Sequence, residues 1–296
     1  MKKLLAVLLA ALMVFSMLAF TACTKTVTVD EEKTEAPTAD ETASAEGEEE
    51  NQEEPNVVEV VEDDLQYIVN KGTLVIGITD FEPMDYQDAD GSWIGFDADM
   101  AVAFAEYLGV IPEFQIIDWD NKVMELNSKI VDVIWNGMTL TDEVKASMET
   151  SNAYCNNAQV VILPASVADN YSDAESLKDL TFAVESGSAG KEMAEEYGFN
   201  YIEVADQATT LLEVKSGTAD ASIIDSLMAA AMVGEGTSYA DLTYTIGLNS
   251  EEYGVGFRKG STAAYALNDF LKASYADGTM EEIAETYGVQ AAIIAQ

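Results

Sequence analysis

The sequence predicts an α/β protein with mostly parallel sheets. Short apolar runs bounded by turn residues alternate with stretches of helical period from Asp64 onward. An internal echo is the second observation: LNSKIVDVIWNG, from Leu126, is matched by VKSGTADASIID, from Val214. In each copy a helix ends in a polar turn, an aspartate (Asp132, Asp220) opens a strand, and the strand stops at a polar group. Two lobes built from similar βα units produce such an echo, and so does the general likeness of βαβ segments.

Before the globular part, MKKLLAVLLAALMVFSMLAFTAC has two lysines, a long apolar stretch and small residues before Cys23. This predicts a signal peptide over 1–22. A transmembrane anchor is the competing reading, since the stretch is almost long enough to span a bilayer. The TAC ending favours cleavage and resembles a bacterial lipoprotein box, with Phe20 where leucine is usual; Cys23 is then the lipidated N-terminus. Residues 24–62 are rich in Glu, Thr, Ala and Asp, and such a stretch cannot bury enough surface to offset its ordering entropy. An acidic, disordered, lipid-attached tether is expected over 23–64.

In the body, DDLQYIVNKG places Leu65, Ile68 and Val69 at helical spacing, with Gly72 as a stop. TLVIGIT, residues 73–79, is a short buried strand. DADGSW is a turn, and FDADMAVAFAEYLG a helix capped by Asp97 and closed by Gly109. EFQII as a strand, a helix over 121–129 and the strand VDVIW, 131–135, follow. Asn136–Thr139 then form a turn of small polar groups, and a helix restarts near Thr141, where Asp142 and Glu143 suit its dipole. Both this turn and Asp225 fall at carboxyl ends of strands, where open α/β sheets bind ligands.

Composition narrows the function. The formal charge of −40 argues against nucleic acid and polyphosphates, whose capture needs Lys and Arg. An acidic surface fits an extracellular protein, a cation-concentrating one, or one adapted to a salty habitat. With no histidine there is no Ser-His-Asp triad, Cys-His pair or imidazole metal site. No cofactor and no metal are expected. Of the two cysteines, Cys23 is assigned to lipid, which leaves Cys155 a free thiol.

GTLVIGI, GSWIGFDADMAVAFAEYLGV, DWDNKVMELNSKIVDVIWNGMTLT and EEYGVGFRKGS occur in that order. Together they resemble bacterial extracellular solute-binding proteins of the polar amino acid type, the receptors of ABC importers. The likeness runs from about residue 65 to the end. It implies a two-lobe fold of the periplasmic-binding-protein type (type II), a monomer, with two hinge strands that let the lobes close on a ligand. Lobe 1 would comprise 65–160 and 256–296, and lobe 2 161–255, with crossings near NAQVVILP and EEYGVGF.

Carried over residue by residue, Phe81 and Trp119 match aromatic positions that sandwich the ligand. Core packing is the ordinary role of such residues, but both stand in polar surroundings, TDFEP and DWDN. Asn136, Gly137 and Thr139 match a donor turn of lobe 1, which otherwise is a plain αβ connection. Ser188, in SGSAG (186–190), matches a ligand-facing helix start. Asp225 matches the acid that takes the ligand's α-amino group, although an aspartate after a strand is more often a helix N-cap.

One position departs from the pattern. The arginine that usually clamps the ligand α-carboxylate is replaced by Val144, and Lys145 lies about 100° away around the helix. With the amino-group acid kept, the clamp lost, and Phe81, Trp119 and Trp135 nearby, a cation-binding cleft is expected. The solute is then an amine without a standard α-carboxylate, or one whose carboxylate rests on backbone N–H groups; an amino acid receptor with a compensating group is the alternative. Two other function classes are open on this fold: a dehydratase-like enzyme, for which no acid–base pair is evident, and a sensor domain, which would continue into a transmembrane helix beyond QAAIIAQ.

Overall fold

The computed structural model describes residues 63–296. The signal peptide, Cys23 and nearly all of the acidic tether lie outside the described residues.

The first lobe begins with α1 (Asp64–Lys71), which Gly72 ends in a left-handed conformation, its amide bonded to the Ile68 carbonyl. There follow β1 (Thr73–Ile78), the small hairpin β2 (Tyr86–Gln87) and β3 (Trp93–Ile94), α2 (Phe96–Leu108) and β4 (Ile111–Ile116). Next come α3 (Lys122–Asn127), β5 (Val133–Thr139), α4 (Asp142–Ser147), β6 (Glu149–Thr150) and β7 (Cys155–Asn157). The second lobe holds β8 (Gln159–Pro164), β9 (Thr181–Glu185), α5 (Ala189–Tyr197), β10 (Asn200–Val204) and α6 (Gln207–Ser216). It continues through β11 (Ala221–Asp225), α7 (Ser226–Met232) and β12 (Leu242–Gly247). The chain then returns through β13 (Glu251–Phe257), α8 (Ala263–Asp277) and α9 (Thr279–Tyr287).

The first sheet has strand order β4-β1-β5-β13-β6, with β7 also on β13; the second has order β10-β9-β11-β8-β12. β1 runs parallel to β4 and β5, and β9 parallel to β10 and β11, while β5 and β11, which carry the expected site, are each flanked on the other side by an antiparallel crossing strand, β13 and β8. This is the two-lobe type II arrangement. The sheets hand over at Ala158 and between Gly247 and Glu251, because β8 pairs in the second sheet while β13 pairs with β5 in the first. Residues 251–255, assigned from sequence to lobe 2, therefore belong to lobe 1 by hydrogen bonding. Asp64 likewise opens α1 instead of closing the tether.

The echo rests on one local device used twice. Asp132 accepts the Val75 amide on β1 (2.8 Å), and Asp220 accepts the Thr181 amide on β9 (2.9 Å). Each aspartate thereby starts its strand in register with the parallel neighbour. In lobe 1 the carboxylate also takes Lys71 and Arg258, a buried charge with its partners in place.

Two sequence expectations are corrected here. Asp97 does not cap α2: the N-cap is Gly95, at φ 128°, where a side chain would strike the Met84 carbonyl. Asp97 lies inside the first turn, fully buried, and accepts from the Gly137 amide (2.6 Å) and the Tyr154 hydroxyl (2.7 Å). Nor do Asn136–Thr139 form a turn. β5 runs on to Thr139, because β13 offers a partner across a register shift and Gly137 bends at φ 54°. A Cβ at Gly137 would press on the Phe81 ring, so the aromatic and the strand approach closely only with glycine there.

Candidate functional site

The ends of β1, β5, β9 and β11 surround a cavity of about 220 Å³ between the lobes. Its wall in lobe 1 includes Thr79, Phe81, Trp119, Lys122, Asn136, Gly137, Thr139 and Val144; in lobe 2, Glu185, Ser188, Gln207 and Asp225. All eight residues expected from sequence thus lie on one cleft. Trp135 does not: it is fully buried in the lobe core, against Phe104 and Tyr154.

The expected donors are already engaged. The Asn136 carbonyl accepts from the Thr79 amide and hydroxyl, and its amide donates to Asp85 (2.9 Å). The Gly137 N–H is held by Asp97, and the Thr139 hydroxyl donates to Glu251 (2.9 Å). Behind this strand, burial and the neighbouring Asp97 push the Asp85 carboxyl well above the usual range. Burial likewise raises Asp97 to about 7, against the pull of Tyr154 and Gly137. Ser188 is spent as the N-cap of α5, accepting from the Lys191 amide (3.1 Å).

Trp119 is both wall and core. It is 7% exposed, lines the cleft, and packs with Leu126, Val131, Met138 and Val144. The expectation that it serves the wall instead of the core therefore needs correcting, because the indole belongs to one apolar cluster with Ile134 and Met138 of β5. The cation over its ring is the protein's own: the Lys122 ammonium stands 5.0 Å from the ring centroid. That ammonium donates to the Trp119 carbonyl (3.2 Å) and, across the cleft, to the Gly187 carbonyl (2.9 Å). The lobes touch here, and a Cβ at Gly187 would collide with the Asp120 backbone at 2.7 Å. Burial lowers the Lys122 pKa, while Glu185, Glu143, Asp120 and Glu192 oppose that fall.

Asp225 stands at the N-cap position of α7 but makes no side-chain capping bond. Its carboxylate is turned to the hinge, where it accepts from Asn157, Gln159 (2.6 Å) and Gln207. Glu251, on the second crossing strand, shares Asn157 and Gln159 at 2.7 and 2.8 Å. Burial first, and then Glu251, raise Asp225 to about 8. Glu185 ends β9, is 2% exposed, and has an Oε1 without a hydrogen-bond partner. Burial, Asp225 and Asp206 push its carboxyl well above the usual range, against the influence of Lys122 and Gln207.

A family model described as bacterial extracellular solute-binding proteins, family 3, matches residues 74–290. The chain belongs to this family. It is 32% identical over 225 residues to the arginine-binding extracellular protein ArtP of Bacillus subtilis (strain 168), covering 72% of this chain and 85% of that protein. A mutant of ArgBP from T. maritima superimposes with a TM-score of 0.71 at 30% identity, covering 76% of this chain and 98% of the other. An ABC uptake transporter substrate-binding protein from Streptococcus pneumoniae, solved with bound histidine, gives the same TM-score and identity over 78% and 98%.

Within this solute-binding fold, the cleft has no arginine on its wall, and Val144 fills the expected clamp position with a buried apolar side chain. Charge is supplied instead by Asp120, Glu143, Glu185, Glu192, Glu195 and Asp225 against Lys122 and Lys191. Lys191 is tied to Glu203 at 3.1 Å, which leaves Lys122 as the lysine bridging the lobes. Sequence reading missed Lys122, Glu185 and Gln207. Glu185 had a usable signal, since it ends a strand whose neighbour carries Asp225. Lys122 had none, because its role arises from reach across the cleft.

Proposed function

We propose that this protein captures a small amine-bearing solute outside the cytoplasm and delivers it to an ABC permease, held at the membrane by lipid on Cys23. The observation that carries the ligand class is the charge of the wall: two buried acids, Asp225 and Glu185, and no guanidinium for a carboxylate. A buried carboxylate favours a cationic partner over water or a second anion. Phe81, Trp119, Asn136, Gly137, Thr139, Val144 and Ser188 shape the cavity in this reading, while Asp225 holds the ammonium. The engaged donors on β5 set the wall instead of reaching for the ligand.

A second reading is favoured by Lys122. Its ammonium lies beside the first turn of α5, where a ligand carboxylate could meet both the lysine and free helix N–H groups, compensating for Val144. The ligand would then be a zwitterionic amino acid. A thermal-shift screen of the purified protein against amino acids and their decarboxylated amines separates the two. Ligand at a hundredfold over its Kd stabilises by about 2.7 kcal/mol, a visible shift. Stabilisation by amines supports the first reading, and stabilisation by amino acids alone supports the second. For the anchor, Cys23→Ala is expected to release the protein from the membrane; retention at unprocessed mass would identify an uncleaved apolar segment.

A further inference from the structure

The amine reading assigns one acid, Asp225, to the ligand, yet Asp225 already accepts from three side-chain amides. Glu185 is different. Its Oε1 is buried on the cleft wall and has no partner. Gln207, which hydrogen-bonds Asp225, also lies within electrostatic reach of Glu185, and all three line the same cavity wall. Neither acid takes part in any ion pair among the described residues. The groups facing Glu185 are Asp225 on β11, Asp206 and Gln207 at the start of α6, and Lys122 on α3.

We propose that Glu185 is a ligand-contacting, specificity-determining acid whose bare Oε1 receives an N–H of the bound cationic nitrogen beside Asp225. This rests on the amine reading above. The charge count supports it. The cavity wall carries six acids against Lys122 and Lys191, so it is net negative, and a ligand cation offsets part of that charge. In the ligand-free cleft that charge has no ligand counter-ion, and two interacting buried carboxyls cannot both ionise at low cost. A proton must then take the cation's place, and binding exchanges it for the ligand: one O–H bond breaks, the proton leaves to buffer, and an N–H···O contact forms. The raised pKa of Glu185 is consistent with this exchange.

The test is calorimetry of the full-length protein at pH 7 with agmatine and cadaverine, in buffers of differing ionisation enthalpy, which counts protons released. The wild type is expected to release about one proton or more per amine bound. Glu185→Gln should bind at least about tenfold more weakly and release fewer protons. Glu185→Asp, which retains the charge, should keep the release. Weaker binding by Glu185→Gln with undiminished proton release would make Glu185 a support of the wall and overturn the inference, as would unchanged binding. Should the wild type bind neither amine, the amine reading itself fails and this inference falls with it; amine binding that ignores Glu185 overturns the inference alone.

Discussion

Lys122→Met keeps the aliphatic stem on the indole and removes only the ammonium, so it isolates the charge that bridges the cleft. In the native protein that ammonium donates to two carbonyls, one from each lobe, at 3.2 and 2.9 Å. Hydrogen bonds from a charged donor contribute about 1.5–3 kcal/mol when buried, but Lys122 is only partly buried and its desolvation opposes the gain. The net loss of stability should be about 1 kcal/mol. Ligand affinity should change more. Both charges would share one cavity, and like charges separated by a distance on the order of 7 Å, at an effective dielectric of about 20, repel by about 2 kcal/mol. Removing it should tighten agmatine binding roughly thirtyfold while weakening any ligand whose carboxylate used the lysine. Titration of both forms with agmatine and arginine reads the effect directly. Equal weakening of both ligands would show that Lys122 serves to latch the lobes, and the charge argument would be wrong.

Three other perturbations follow from the same geometry. Asp225→Asn should weaken agmatine by about 2–5 kcal/mol in calorimetry while leaving the circular dichroism spectrum native, and unchanged affinity would remove Asp225 from the site. Trp119→Ala should cost roughly 3 kcal/mol in urea unfolding as well as affinity, because the indole is both wall and core; a loss confined to binding would contradict its packing. Stability should fall with rising pH. Asp225 at about 8 and Asp97 at about 7 sit above the unfolded value of 3.8, so the native state binds more protons than the unfolded chain between roughly pH 4 and 8. Their stabilising contribution is complete below pH 4 and is lost as the pH climbs through 7 and 8. The melting temperature should therefore drop from pH 5 to pH 8, less steeply in Asp225→Asn, and a rise over that range would refute the assignment.

What could be read from sequence was local and periodic. α1 and α2 follow from helical stretches closed by glycines and β1 from a short apolar run, and the echo around Asp132 and Asp220, open in the sequence between a repeated βα unit and coincidence, has a shared strand-starting hydrogen bond behind it. Asp97 was misread because capping is a local rule, whereas the clash that forces Gly95 into the cap comes from the Met84 carbonyl on another segment. Asn136–Thr139 looked like a turn because polar residues end most strands; here β13 supplies partners that the local sequence does not show. The boundary at 256 was placed late for the same reason, since pairing with β5 draws β13 into lobe 1 from Glu251. The aromatic and acidic positions of the cleft were legible through the family likeness. Lys122 and Glu185 were not, because what distinguishes them is a reach across two lobes and an oxygen left without a partner.

Calorimetry of the wild-type protein with arginine and its decarboxylated amine, agmatine, is the most direct test, since the two differ chiefly by the α-carboxylate. A cleft with Asp225 and Glu185 on its wall and Val144 in place of the clamp should bind agmatine more tightly, with release of protons. Tight binding of arginine with no response to agmatine would mean that Lys122 and the start of α5 hold a carboxylate, and that the protein is an amino acid receptor.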